Sequence, residues 1–395
     1  MLDIIVFLLA FFWFIEIKIV GRLFLIELVY LITAVVLILS PGGRLSLSPF
    51  LRKFFVLLGV WLLALMFSDW YRGTAFVDYS RGWSKVFFFG INVFVIYQLC
   101  RNNPRRLFIY LLGLALGGLV KPSFFPETYF LKGDIWKFGY GFPVTSLSIL
   151  AAYFFGLNLR MALFGLALLN LGLGYRSMAL FCLMGTLLSI LSEAVYYKKS
   201  KNAVLLLRNV FLIIVAISAF SYFYYEIGVF ESSTIEVGQY KLEGALKNPL
   251  YGRLEFLGGL KAVWDSPLIG RGSWAKDPKY LTFLEELAEA VGRGFYQEDS
   301  TIPSHSYVLG AWVEAGILGA LFWLFVLFQS LKAMKTLVNR NVQPLGLYGF
   351  LLSFLIWAIL FSPFAASERL TAAFFTVLVN YILMRPAFQE GWNNP

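Results

Sequence analysis

The sequence predicts an all-α integral membrane protein of about twelve transmembrane helices, with one large, partly helical loop between the ninth and tenth. Three observations carry this. Hydrophobic residues fill 59% of the 395 positions and charged residues only 14%, where soluble domains carry about 25% charge. The apolar residues fall in blocks near the roughly 20 that cross a bilayer as a helix. One hydrophilic stretch of about 80 residues, 225–305, interrupts those blocks.

The first block, about 3–17, has Asp3 as its only early charge, and no small-residue cleavage site follows. It is expected to stay as a helix rather than be removed as a signal peptide. Blocks at about 23–40, 54–68, 83–100 and 106–120 follow. A short pair, 142–157 and 160–173, meets at the tight turn Leu157-Asn158-Leu159-Arg160, and 177–197 and 203–224 complete nine spans. After the loop come 306–330, 343–362 and 369–385. The chain thus reads as spans 1–9 in 1–224, a cap in 225–305, and spans 10–12 with a tail in 306–395, together one membrane domain.

Charge orients the bundle. With a cytoplasmic N-terminus, the inner loops carry Arg44, Arg52, Lys53, Arg101, Arg105, Arg106, Arg160, Lys198, Lys199, Lys201, Lys332, Lys335 and Arg340, with Arg385 in the tail. No acid lies among them, whereas Asp69, Asp78, Glu127 and Asp134 fall in outer loops, with basic residues mixed in. This positive-inside pattern puts both termini in the cytoplasm and 225–305 outside. The net charge of +10 then reads as topology and contact with anionic lipids; no nucleic-acid module is present. Cys100 and Cys182 lie toward opposite surfaces, so neither a disulfide nor a metal cluster is expected of them.

The long loop holds more than half of the chain's 23 acids, including Glu285, Glu286, Glu289, Glu298 and Asp299. Apolar spacing predicts helices around 253–264 and 281–291, with a turn at Asp265-Ser266-Pro267-Leu268-Ile269-Gly270-Arg271-Gly272 between them. These would lie over the outer mouth of the bundle; the other reading is a loosely ordered loop.

His305 is the only histidine. It sits where the loop meets an apolar helix, and its side-chain type titrates at about 6.5, near neutrality. Two readings stand: a polar interface residue, or a proton acceptor in catalysis. Beyond it, Gly310, Gly316 and Gly319 would let a neighbour approach the first turns of the tenth span. Glu314 is an acid in that apolar segment and needs a partner, as a structural ion pair or as a second catalytic carboxylate. Arg176, Arg253 and Arg271 converge on the same surface, and guanidinium groups bind phosphate through forked, charge-assisted hydrogen bonds. Each could instead snorkel to headgroups, the reading given to Arg208. No Asp-x-Asp pair, His/Cys cluster or phosphate-cradling glycine loop appears, so no metal or nucleotide cofactor is expected.

Arg253, Trp264, Pro267, Gly270 and Gly272, followed by His305, Glu314, Gly316 and Gly319, resemble the signature of the O-antigen ligase and polymerase superfamily. Those are polytopic inner-membrane glycosyltransferases of GT-C-like architecture, with a large periplasmic loop before the motif helix. The resemblance covers the whole architecture, but its specific residues fall within 253–319. The family commonly has Asn after the histidine, where this chain has Ser306. The resemblance implies that Arg176, Arg253 and His305 are the essential groups, with Arg271 a further diphosphate-binding candidate. It implies a glycan donor on undecaprenyl diphosphate, lipid A–core as acceptor, His305 as general base and arginines stabilising the diphosphate at the periplasmic face. Ligase and polymerase chemistry, or transfer to protein, would differ only in acceptor. A lipid-glycan flippase is the alternative of another class; charged residues deep in several spans would be its mark.

Overall fold

The computed structural model describes residues 1–18, 21–40, 47–124, 134–196, 254–290 and 300–384. The expected ninth span, Arg253 and the Glu298-Asp299 pair lie outside the described residues. What is described is an all-α membrane protein with one two-stranded hairpin.

Helix α1, Leu2–Phe11, ends in a 3-10 turn, Phe12–Phe14. Strands β1, Glu16–Lys18, and β2, Arg22–Phe24, then pair antiparallel. The first expected span is thus shorter than its apolar run. Leu25–Leu39 forms α2, Pro49–Arg72 α3, Phe76–Cys100 α4 and Arg105–Phe124 α5. Gly141–Phe154 and Leu159–Gly172 are α6 and α7, the short pair, and Arg176–Tyr196 is α8. Leu254–Asp265 and Pro278–Ala290, α9 and α10, are the two helices expected in the loop. Tyr307–Ala315 is α11, Ile317–Asn339 α12, Leu345–Phe361 α13 and Arg369–Met384 α14.

Among the described residues, five helices are long and apolar enough to cross a membrane: α3, α4, α5, α12 and the Arg176–Glu193 part of α8. Helix α3 outruns its apolar core because its ends are capped: Ser48 accepts from the Leu51 amide, Pro49 opens the first turn, and Gly73 closes the helix in the left-handed region at φ 64°. Ile32, Val36, Val56, Leu63, Met161 and Phe328 stay exposed, as side chains that face lipid do.

The tenth expected span is where the structure departs most from expectation. It is broken at Gly316, whose φ of 70° and ψ of −162° lie in a region open essentially to glycine alone. The apolar run continues through the break, so hydropathy alone reads it as one helix.

Packing between the helices is aromatic and small-residue packing, as expected where lipid competes for apolar contact. Trp61, Phe89, Phe322, Trp323 and Phe364 form one ring cluster; Trp61 stacks on Phe322 with centroids 5.0 Å apart, and Phe89 on Trp323 at 5.5 Å. Helices α8 and α13 run antiparallel. A Cβ on Gly185 would meet the Gly346 carbonyl at 2.6 Å, while Phe181 near the start of α8 meets Trp357 near the end of α13 at 5.9 Å. Inside the bundle, the buried Glu27 carboxylate takes a hydrogen bond from Arg369 at 2.5 Å and another from Asn92 at 3.0 Å, tying α2 and α14 to α4. A buried pair of this kind needs every lone pair served, and the Phe24 amide supplies a third donor at 3.1 Å.

Candidate functional site

The cap helices α9 and α10 pack as a hairpin. Gly258 lets Leu284 settle against the α9 backbone, and Leu254, Leu284 and Ala288 form a small core. Asp265, at the end of α9, closes the hairpin. It accepts from Lys279 at 2.8 Å, Lys261 at 2.9 Å and the Tyr280 hydroxyl at 2.9 Å. Those bonds, Lys279 first and Lys261 next, hold its carboxyl well below the usual carboxylate range. Burial, with the bond to Asp265, pushes the Tyr280 hydroxyl up to about 12.

A carboxyl whose folded-state pKa is depressed stabilises the fold fully above its unfolded value, about 3.9. That contribution is lost as pH falls from there through the folded value. The hairpin should therefore keep its amide protection factors from pH 8 to about 5 and lose them progressively as pH falls below about 4. Asp265→Asn should show the loosened hairpin already at neutral pH. Equal protection in both proteins at pH 7 would mean that Asp265 does not close the hairpin.

The turn after Asp265 is the part of the cap that docks on the bundle. The Arg72 guanidinium, in the last turn of α3, donates to the Gly270 carbonyl at 3.0 and 2.8 Å and to Ser266 Oγ at 2.6 Å. Buried Asp69, one turn earlier, accepts from the Ser273 amide at 2.6 Å, the Ser273 hydroxyl at 2.7 Å and Trp83 Nε1 at 2.7 Å. The turn's backbone pairs with the end of α11: the Arg271 amide donates to the Val313 carbonyl at 2.7 Å and the Gly272 amide to that of Glu314 at 3.0 Å. The Pro267 carbonyl accepts from the Ile317 amide at 3.0 Å and from Trp312 Nε1 at 2.9 Å. A Cβ on Gly316 would fall 2.0 Å from the Leu268 carbonyl, and one on Gly270 2.5 Å from the Gly316 amide. Pro267, Gly270 and Gly272 of the turn thus form one interlock with Gly316, more than 40 residues further on. Glu314 is an ion-pair partner: its carboxylate binds Lys85 of α4 at 2.6 Å, with both side chains largely buried.

His305 stands at the opposite end of α11 from this interlock. It is exposed, with φ of 32°. A positive φ is uncommon outside glycine, though histidine, asparagine and aspartate adopt it more readily than most. What holds it is the next residue. Ser306 Oγ accepts from the Leu309 amide at 3.2 Å as the helix N-cap and donates to the Ile359 carbonyl in the last turn of α13 at 3.0 Å. Serine and asparagine are both strong N-caps, so Ser306 fits the position where the resembled family has Asn. Tyr307 then anchors the helix in the aromatic cluster, 4.7 Å from Trp323 and 4.9 Å from Phe364 between centroids.

Arg176 is exposed at the first turn of α8, after Gly174 in the left-handed region at φ 78°. The turn before it is clamped by buried Asn170, which binds Thr145 at 3.0 Å and Trp136 at 3.0 Å, while its carbonyl takes the Tyr175 amide at 2.8 Å. Because α8 and α13 are antiparallel and Ser306 is bonded to the end of α13, Arg176 and His305 lie at the same end of α13.

Arg271 is placed differently. Its guanidinium lies 3.2 Å from Asp277 and 3.9 Å from Asp265, and 4.8 Å over the Tyr280 ring. Its charge is balanced within the cap. Its backbone pairs at the far end of α11, about 12 Å along that helix from His305 at ~1.5 Å per residue. Sequence reasoning missed Arg72 and Lys85, whose partners Gly270 and Glu314 lie about 200 residues away. Among the described residues no group of three or more His, Cys, Asp or Glu side chains could hold a metal ion. No family model, no curated protein and no solved structure matches the chain.

Proposed function

We propose that the chain is an O-antigen ligase, a membrane glycosyltransferase that moves a glycan from undecaprenyl diphosphate to lipid A–core. The observation that carries this reading is an exposed histidine, held in strained backbone by a capped and anchored helix, at the same end of α13 as an exposed arginine. Strained residues of this kind cluster at functional sites. The residue pattern of 253–319 supplies the family.

In the proposed reaction the acceptor hydroxyl attacks the anomeric carbon. The carbon–oxygen bond to the diphosphate breaks, the configuration inverts, and undecaprenyl diphosphate leaves with the bonding pair. His305 accepts the hydroxyl proton as the new bond forms. Arg176 and Arg253 stabilise the charge growing on the diphosphate. Arg271, already paired, steadies the cap. Neither metal nor nucleotide takes part. The protein would cross the bacterial inner membrane about twelve times, with both termini cytoplasmic and this chemistry at the periplasmic face.

Deleting the gene in its host tests the acceptor. The lipopolysaccharide profile should lose every capped chain. Survival of caps one repeat unit long would instead make the protein a polymerase, and an unchanged profile would remove both readings.

A further inference from the structure

Apart from His305 and Arg176, a half-open cavity of about 660 Å³ lies between the β-hairpin, α4, the cap and the start of α14. Four cationic side chains, Arg22, Arg81, Lys85 and Arg369, are among its walls. Ser80, Ser84 and Ser367 add hydroxyl groups, and no carboxylate lines it among the described residues. Two of the cations are fixed from behind the wall, Lys85 by Glu314 and Arg369 by Glu27. The rest of the wall is apolar, formed by Leu23, Phe88 and Trp274 with Ala365 and Ala366.

Trp274 is the cap's contribution. It sits at φ of 52°, an outlier for a bulky side chain, with the Arg81 guanidinium 5.9 Å from its ring centroid. Its amide lies 3.4 Å from Glu314 Oε1, so the carboxylate that holds Lys85 also steadies the aromatic wall.

A wall of cations and hydroxyls without acids selects an anion with several acceptor oxygens, and guanidinium pairs geometrically with phosphate. The apolar wall selects a body attached to that anion. A cavity this size is in the range of ligand pockets, about 300–1,000 Å³. We infer that this cavity, whose described lining includes neither His305 nor Arg176, is a binding site for the phosphate headgroup of an anionic lipid. The inference does not depend on which reaction the protein performs.

Binding to the full-length protein in neutral detergent tests it, with phosphatidylglycerol, phosphatidylcholine and inorganic phosphate as probes and native mass spectrometry as readout. Phosphatidylglycerol should be retained in preference to phosphatidylcholine. Inorganic phosphate should compete with it, but more weakly than the whole lipid. Arg22→Gln with Arg81→Gln should weaken phosphatidylglycerol binding by about tenfold or more, the worth of a lost charge-assisted hydrogen bond. Arg81→Lys should retain most of it, and Phe88→Ala should weaken the lipid but not inorganic phosphate.

If the double variant does not fold, Ser80→Ala with Ser84→Ala gives the same comparison, with the drop again specific to the anionic lipid. Equal retention of the two lipids, or unchanged phosphatidylglycerol binding in a folded double variant, overturns the site. Inorganic phosphate binding as tightly as the lipid, with no effect of Phe88→Ala, overturns the lipid half of the inference.

Discussion

Replacing His305 by alanine should lower glycosyl transfer by about 10²–10⁴-fold, the usual worth of general-base catalysis. Expression and thermal stability should barely change. The side chain is exposed, and what orders this segment is the Ser306 cap and the Tyr307 anchor, neither of which the substitution touches. Position 305 also has a positive φ, which alanine tolerates less well than asparagine does. His305→Asn therefore separates the two roles of the residue. It keeps the backbone conformation and a polar side chain but removes the proton acceptor. Transfer should be lost in both variants. If His305→Asn transfers at the normal rate while His305→Ala does not, the residue shapes the backbone and is no base.

Gly316→Ala should be the most damaging glycine-to-alanine change among the described residues. The added Cβ would lie 2.0 Å from the Leu268 carbonyl and 2.8 Å from the Ile269 amide, both backbone atoms with no flexible end to move. The residue would also have to adopt φ of 70° and ψ of −162°. Strain of that kind is worth about 1–3 kcal/mol and overpacking about 1–3 kcal/mol more. The cap turn should lift from α11, releasing the bonds that Arg72 and Asp69 make to it. Limited proteolysis should then cut within 266–274 under conditions that leave the parent intact. Gly310→Ala is the comparison: its Cβ would meet only the Ser304 side chain, at 2.9 Å, so it should cost much less. Comparable damage from the two would mean that the break at Gly316 is not what seats the cap.

Much of the helical fold is legible because it follows from apolar blocks alone. Helices α2, α5, α6, α7, α8, α13 and α14 begin and end within a few residues of their blocks. Helices α3 and α4 run longer. The charges that seemed to end them, Asp69, Arg72, Asp78 and Arg81, lie within the helices, and three of them, Asp69, Arg72 and Asp78, are bonded by a cap far along the chain. No local pattern reports such a partner. The break at Gly316 was illegible for a related reason: hydropathy registers what a residue is, whereas the break is a backbone angle fitted to the 267–272 turn.

At the site, His305 and Arg176 were recognisable as chemistry-bearing residues at loop–helix boundaries, and helix alternation carries both to one end of α13. The pairing of Arg271 inside the cap was not anticipated, although its partners are near in sequence. Asp265 and Asp277, six positions to either side, are the acids that balance it.

The proposed activity is glycosyl transfer from a polyprenyl diphosphate. The most direct measurement combines purified protein, lipid-linked glycan and lipid A–core in detergent with chelator present and ATP absent. Glycan should be joined to lipid A–core and undecaprenyl diphosphate released in equal amount, both lost in His305→Asn. No joined product from an authentic substrate pair, with the intact lipid-linked glycan instead carried across vesicle membranes, would contradict it.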